Sequence, residues 1–299
     1  MIWTLRISSL LLQISRQGVL TGLGLGIVLL AAAGLALATG SYPLSLAQIL
    51  GVLWGDGSPP QQMIVLDHRL PRILTALGAG AAFGLSGAMF QVMMRNPLAA
   101  PDVIGFNAGA SCGALCVMIL TGGMALPGAA DLLISSMDVL SAADMAQWLT
   151  GSLSARTWQD AVLVWSGLAV LAPLALWLHF PLARLAMDDG IATSLGLPLT
   201  RLHLAVTATG ILLAALAVST VGPLPFVAFA ADPIARCLIP GGKSALLGAA
   251  ASGALITLLA DSAACALPMV QLPVGVFTAL IGAPLLLWLL AAHVRKGAI

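Results

Sequence analysis

Gly109-Ala110-Ser111-Cys112-Gly113 has the spacing of a hydrolase nucleophile elbow, in which a sharp turn between a strand and a helix exposes the serine. This serine instead lies inside an unbroken apolar run, VIGFNAGASCGALCVMILTG (103–122), which supplies neither strand nor turn. Gly241-Gly242-Lys243-Ser244 has the ending of a phosphate-cradling loop. Cys237, however, stands where the first glycine must be, and no strand of a nucleotide-binding domain precedes it. Any ATP-driven process would therefore need ATP hydrolysed on another subunit. Cys112, Cys116, Cys237 and Cys265 have no CxxC or Cys/His spacing, and Cys112 with Cys116 on one helix face reads as small-residue packing. His68, His179, His203 and His293 fall at the ends of apolar runs and form no ligand cluster, so solvation at an interface is the reading for each. No catalytic residue, metal site or cofactor is expected.

The elements that carry these residues are those of a membrane protein. The 299 residues are 60% hydrophobic and 8% charged, with mean hydropathy +1.05. Runs of about 20 apolar residues recur, long enough to cross a bilayer as helices. They lie at 18–40, 73–94, 103–122, 161–180, 204–222, 245–267 and 274–293, with a shorter one at 223–239. An all-α polytopic protein of about eight transmembrane helices follows, forming a single transmembrane domain over 1–299. The first run follows Arg6 and Arg16 but is too long for a cleaved signal, and is expected to be retained. With the amino terminus inside, nine Lys and Arg residues fall on the cytoplasmic side and only Arg69, Arg72 and Arg156 outside, which favours cytoplasmic termini. A net charge of +1 and the absence of basic runs interleaved with aromatics exclude nucleic-acid binding. Glycines spaced by four at Gly18, Gly22 and Gly26, and at Gly105, Gly109 and Gly113, are expected to let helix backbones approach closely within a tight bundle.

Two polar islands interrupt this pattern. In RNPLAAPDVIGFNAGA (95–110), Pro97 and Pro101 cannot continue a helix, so the chain must turn between the second and third spans. Asn96 and Asp102 can cap the exposed backbone groups, and the segment reads either as an ordinary tight turn or as a gate at the inner mouth. In MDDGIATSLGLPLTR (187–201), Asp188 and Asp189 suit a helix start, Ile191, Ala192 and Leu195 give a short apolar face, and Gly196 with Pro198 ends it. A short surface helix offered to a soluble partner, or a plain connecting loop, both fit.

Arg69-Leu-Pro-Arg72, Ser86-Gly87-Ala88, Arg95-Asn-Pro-Leu98-Ala99, Pro101-Asp102 with Gly105, Ser194-Leu-Gly196, and Leu272-Pro-Val-Gly275 with Thr278 and Gly282-Ala-Pro284 together resemble the iron-siderophore permease family. That family is the membrane half of binding-protein-dependent ABC importers for ferric siderophores, haem and vitamin B12. The RNPL segment is most similar to the ferric enterobactin branch. The resemblance implies that Arg69 and Arg72 dock carboxylates of a periplasmic siderophore-binding protein. It implies that Asn96, Pro97 and Leu98 belong to a cytoplasmic gate. It also implies that Asp188, Asp189, Ile191, Ala192, Ser194, Leu195, Gly196 and Leu197, within a coupling segment at 187–200, seat in cytoplasmic ATP-binding subunits. A second homologous permease chain in a heterodimer, membrane lipid as solvent, and the bacterial inner membrane as location follow from the same resemblance.

Three departures stand out. The family's Pro-His-x-x-Arg sequence becomes Asp232-Pro-Ile-Ala-Arg236, which keeps the arginine and loses the histidine. Cys265 occupies a position where many members carry an arginine, four residues beyond Asp261. Residues 122–160 hold Asp131, Asp138 and Asp144 and replace about two of the family's ten helices. Loss of two consecutive helices preserves the sidedness of all that follows. An importer of a ferric siderophore is thus the leading expectation; a shortened scaffold that no longer transports, or a carrier of haem or vitamin B12, are the alternatives. From this topology, a membrane-impermeant thiol reagent added outside intact cells labels Cys265 and spares Cys237; the opposite pattern would invert the orientation.

Overall fold

The computed structural model describes residues 2–7, 10–40, 42–97, 150–185, 198–238, 246–266 and 272–297, together with Ala99, Pro101, Gly190 and Ser194. An antiparallel hairpin opens the chain, β1 (Ile2–Ile7) against β2 (Leu10–Ser15), pairing Ile2 with Ser15 and Ile7 with Leu10. Ile2, Thr4, Ile7 and Ile14 supply β-branched residues suited to such pairing. The hairpin is an addition to the expected architecture. From Arg16 onward the elements are helical: α1 (Arg16–Ala38), α2 (Leu46–Leu53), and α3 (Pro59–Gln62), which passes through a π-helical turn (Met63–Arg69) into α4 (Leu70–Met93). Then come α5 (Trp158–Leu185), α6 (Leu199–Val221), α7 (Val227–Leu238), α8 (Leu246–Ala266) and α9 (Val274–Gly297).

Among the described residues, five helices are long and apolar enough to cross a membrane: Leu20–Ala38, Pro59–Met93, Trp158–Leu182, Leu199–Val221 and Leu246–Ala266. Val274–Trp288 is a shorter apolar helix. These coincide with the runs read from the sequence. The expected span at 103–122 lies outside the described residues.

Helix α4 is the axis of the bundle, with α5, α6, α7 and α8 packed around it. Its contact with α8 is backbone on backbone. A Cβ placed on Gly80 would stand 2.5 Å from the Gly253 carbonyl oxygen, and one on Gly84 would collide with the carbonyl of Ala249. Farther along, Gly87 lies against the carbonyl of Ala228 on α7. Between lipid tails there is no hydrophobic gain in bringing helices together, so such density of contact holds them. Polar side chains complete the seam: the Ser86 hydroxyl donates to the Gly210 carbonyl at 2.7 Å and the Gln91 amide to the Phe229 carbonyl at 2.9 Å, both buried. The Ser86-Gly87-Ala88 motif therefore stitches α4 to α6 and α7. Helix α1 differs. Nothing lies within 4 Å of a Cβ built on Gly22, Gly24 or Gly26, so the tight face expected there is not found among the described residues. α1 instead rests on the bundle through Ala32, Ala33, Ala36 and Leu37, while Leu20, Leu23, Ile27 and Leu30 remain exposed. The second repeat, at Gly105, Gly109 and Gly113, lies outside the described residues.

The short run at 223–239 is helical only over the twelve residues of α7, which at about 1.5 Å per residue cover little more than half of a bilayer core. The rest of the crossing is irregular chain from Gly222 to Phe226, with positive φ at both ends (75° and 64°). A non-helical stretch at that depth is tolerated because protein surrounds it: Leu224 is fully buried and Phe226 packs against Gly282 of α9. Hence α6 and α8 run in the same direction, each antiparallel to α4, with the broken segment returning the chain between them.

Gly84→Leu forces a side chain into backbone, and its cost is expected to reach the upper part of the overpacking range, about 3 kcal/mol or more. Gly24→Leu fills open space and should be neutral. Thermal unfolding in detergent checks the pair; equal midpoints would remove the α4–α8 seam as the organising contact.

Candidate functional site

The site begins where the chain enters α4. A π-helical turn shifts the backbone bonds by one residue, as in the Leu70 N–H donating to the Val65 carbonyl. Pro71, one residue later, has no N–H to give to Leu66. The indole Nε1–H of Trp158 fills that vacancy, donating to the Leu66 carbonyl at 3.0 Å and fixing the start of α5 beside the start of α4. Arg69 and Arg72 are thereby presented at one end of the bundle.

Neither guanidinium is idle. Arg69 donates to the carbonyls of Leu37 (2.5 Å) and Tyr42 (2.6 Å), closing the connection after α1. A cation at the carbonyl end of a helix is favourably placed there. Gly40, with φ of 139°, leaves room for it, since a Cβ would meet Arg69 Nη2 at 2.7 Å. Arg72 forms a forked pair with Asp261 of α8, Nη2 to Oδ1 at 2.6 Å and Nε to Oδ2 at 2.9 Å. Asp261 is 5% exposed in its side chain and Arg72 27%. Charges this deep among apolar helices need a partner, and each supplies the other's.

A third arginine joins them. Arg156, just before α5, is mostly buried, and its Nε finds no hydrogen-bond partner. Its Nη1 stands 3.8 Å from Asp160, which also accepts from the backbone and hydroxyl of Thr157 in a helix-start capping arrangement. Burial lowers the Arg156 guanidinium from its ordinary value, Asp160 raises it, and the nearby charge of Arg72 lowers it again. Arg69, Arg72 and Arg156 line one cavity of about 1250 Å³, together with His68, Asp261 and Cys265.

The opposite end of the bundle holds the elbow. α4 closes with a Schellman arrangement: Asn96 N–H donates to the Gln91 carbonyl (3.1 Å) and Arg95 N–H to the Val92 carbonyl (3.2 Å). Arg95 takes the left-handed position, at φ of 50°, where glycine is more usual. Pro97 follows and bars continuation, and the Ala99 N–H returns to the Asn96 carbonyl at 3.0 Å. Asn96 is exposed and Pro97 half-buried, roughly 36 Å along α4 from Arg69, taking 1.5 Å per residue. Leu98 and Asp102 lie outside the described residues. So do Asp188, Asp189, Ile191, Ala192, Leu195, Gly196 and Leu197; Ser194 is described and exposed. On α7 the Asp232 carboxylate, fully buried, accepts from Arg236 at 2.6 Å. The arginine retained in that motif is thus held by the aspartate beside it.

The Arg72–Asp261 pair and the place of Arg156 were not foreseen. The signal available for the first was the rule that isolated charges within apolar spans seek each other. For Arg156 there was none, because the cavity it lines is assembled from α1, α4, α8 and the residues before α5.

Packed membrane-length helices with a charged mouth at one end define a multi-pass helical membrane protein. The FecCD transport family matches residues 27–137 and 123–292, and the chain belongs to that family. It is 32% identical to the ferric enterobactin transport system permease protein FepG of Escherichia coli, over 96% of this chain and all of the relative. It is 28% identical to the molybdate import system permease protein MolB of Haemophilus influenzae, over 88% of this chain and 91% of the relative. Among solved structures, a metal-chelate type ABC transporter in an inward-facing conformation superposes with a TM-score of 0.71 at 29% identity, covering 89% of this chain and 98% of that one. The protein is therefore a multi-pass membrane permease subunit of the iron-chelate ABC transporter family, a transport component. Membership implies ATPase and binding-protein partners.

Arg72→Leu strands a nearly buried carboxylate and is expected to cost about 3 kcal/mol, whereas Arg72→Leu with Asp261→Leu together should cost much less. Thermal unfolding of the single and double variants in detergent measures the difference; a double variant as unstable as the single would deny the coupling.

Proposed function

We propose that this chain carries a ferric siderophore, of the catecholate type exemplified by enterobactin, across the bacterial inner membrane, with both termini in the cytoplasm. The observation that carries the reading is the similarity to FepG, whose alignment with this chain runs from one end of that relative to the other. In this orientation the cavity holding Arg69 and Arg72 opens outward and receives the binding protein. Arg69 and Arg72 dock its carboxylates, with Arg72 exchanging Asp261 for the incoming group. Asn96, Pro97 and Leu98 belong to the inner gate, and residues 188–197 seat in the ATPase. A second, homologous permease chain completes the pathway.

The alignment with FepG is 329 residues long against a chain of 299, so at least 30 of its positions have no residue here. The two family matches meet at 123–137, inside the segment expected to replace two helices. Those observations support a shortened permease.

Co-expression with its ATPase, partner permease and binding protein, followed by reconstitution in vesicles, tests the reading. ATP-dependent accumulation of radiolabelled ferric catecholate siderophore is expected. A complex that assembles and hydrolyses ATP yet accumulates none of the chelates offered would instead mark a scaffold.

A further inference from the structure

The cavity at the Arg69 end has a charge imbalance that docking by Arg69 and Arg72 explains only in part, since Arg156 has no role in it. Its lining includes three guanidiniums and one carboxylate. Asp261 neutralises Arg72 through a short, forked contact. Among the described residues, Arg69 meets two backbone carbonyls and no carboxylate, so its charge is oriented but not cancelled. Arg156 is paired, among the described residues, with Asp160 at 3.8 Å, longer than a hydrogen bond, and its buried Nε has no acceptor. An arginine fork presents five N–H donors, and a buried one left unmatched is costly. Two guanidinium charges thus stand incompletely balanced in a concave site with apolar walls, where Ala36, Ile73 and Leu272 also contribute. Low-dielectric walls focus such a field into the cavity.

Size decides what the field acts upon. At about 1250 Å³ the cavity exceeds the usual range of small-ligand pockets, roughly 300–1,000 Å³, and is far larger than one acidic side chain of a docking protein requires. We propose that this cavity is an entry subsite for the chelate itself, selecting chelates of net negative charge over neutral ones of equal size through Arg69 and Arg156. Carboxylate or catecholate oxygens on the rim of the chelate pair with Arg69 and with the part of Arg156 that lines the cavity, and charge-assisted bonds of this kind are among the stronger ones. Until the binding protein docks, Arg72 is held by Asp261 and supports the wall, and it is not the group that recognises the chelate. The proposal rests on the permease reading and adds the charge class of the cargo.

The test is equilibrium binding to the purified permease in lipid nanodiscs, with no binding protein, ATPase or ATP present. The probes are a trianionic gallium tris-catecholate and a neutral gallium tris-hydroxamate of similar volume. The anionic chelate is expected to bind at least tenfold more tightly, with an affinity that falls as salt rises. Arg156→Gln should weaken it about tenfold and Arg156→Lys by less, whereas Arg184→Gln, an exposed change at the far end of α5, should leave it unchanged. Thermal unfolding confirms that each variant is folded; should Arg156→Gln fail to fold, Arg156→Lys and the salt series carry the decision. Equal binding of the two chelates, or affinity indifferent to salt and to residue 156, overturns the proposal. So does an Arg156→Gln permease that loses binding-protein docking while keeping its chelate affinity, because the anion recognised would then be the protein's. Uptake plays no part in this measurement, so a chain that transports without selecting by charge sinks this proposal alone.

Discussion

The close approach of α4 and α8 is the constraint on which the other features depend. Lipid offers helices no hydrophobic reason to associate, so contact must come from shape, and glycine is the residue that lets two backbones meet. Gly80 and Gly84 on one side and Gly253 on the other bring carbonyl oxygens where a side chain would otherwise stand. With that distance set, Arg72 and Asp261 at one end of the same seam fall within reach of a forked ion pair, although 189 residues separate them. An ion pair at that depth gains from the low dielectric only because the geometry is good; a helix displaced by a residue's width would leave two buried charges unpaired.

A second consequence is the tolerance of irregular backbone inside the bundle. The π-helical turn before α4 and the break between α6 and α7 each free backbone groups that lipid would not satisfy. One is answered by the Trp158 indole, which donates to the Leu66 carbonyl, and the other by the Ser152 N–H, which donates to the Val221 carbonyl at 2.9 Å. Broken elements of this kind are found in membrane proteins where protein or a water-filled path surrounds them. Here they flank the basic cavity and the α7 half-helix, so the parts of the chain that depart from regular helix are the parts close to the charged groups.

The two ends of α4 illustrate a division of labour. At the Arg69 end, side chains from four separate stretches converge and charge accumulates. At the Asn96 end, the turn is built locally, from a Schellman closure and a proline, and its polar residues face outward. The chemistry of one end is assembled by tertiary contact, and that of the other by bonds within a few residues.

Much was legible in the linear order of residues. Apolar runs of bilayer length, prolines that must end a helix, and the ordered motifs from Arg69 to Pro284 determined the membrane class, the places of the described spans and the family, because these depend on local composition and short spacings. The turn at Asn96 belongs with them, since every bond that closes it lies within five residues. What only the tertiary structure decided was which glycines are contact points and which charges are neighbours. The repeat at Gly22 and Gly26 has the same spacing as a packing face, yet among the described residues nothing meets it, while Gly80, Gly84 and Gly253 make the close contacts. Likewise nothing in the sequence near Arg72 says that it meets Asp261, and nothing near Arg156 says that its Nε is buried without an acceptor. Spacing describes a single helix; which of its faces meets another helix is settled by the competition of all the helices for contact, and that competition has no signature in any one of them.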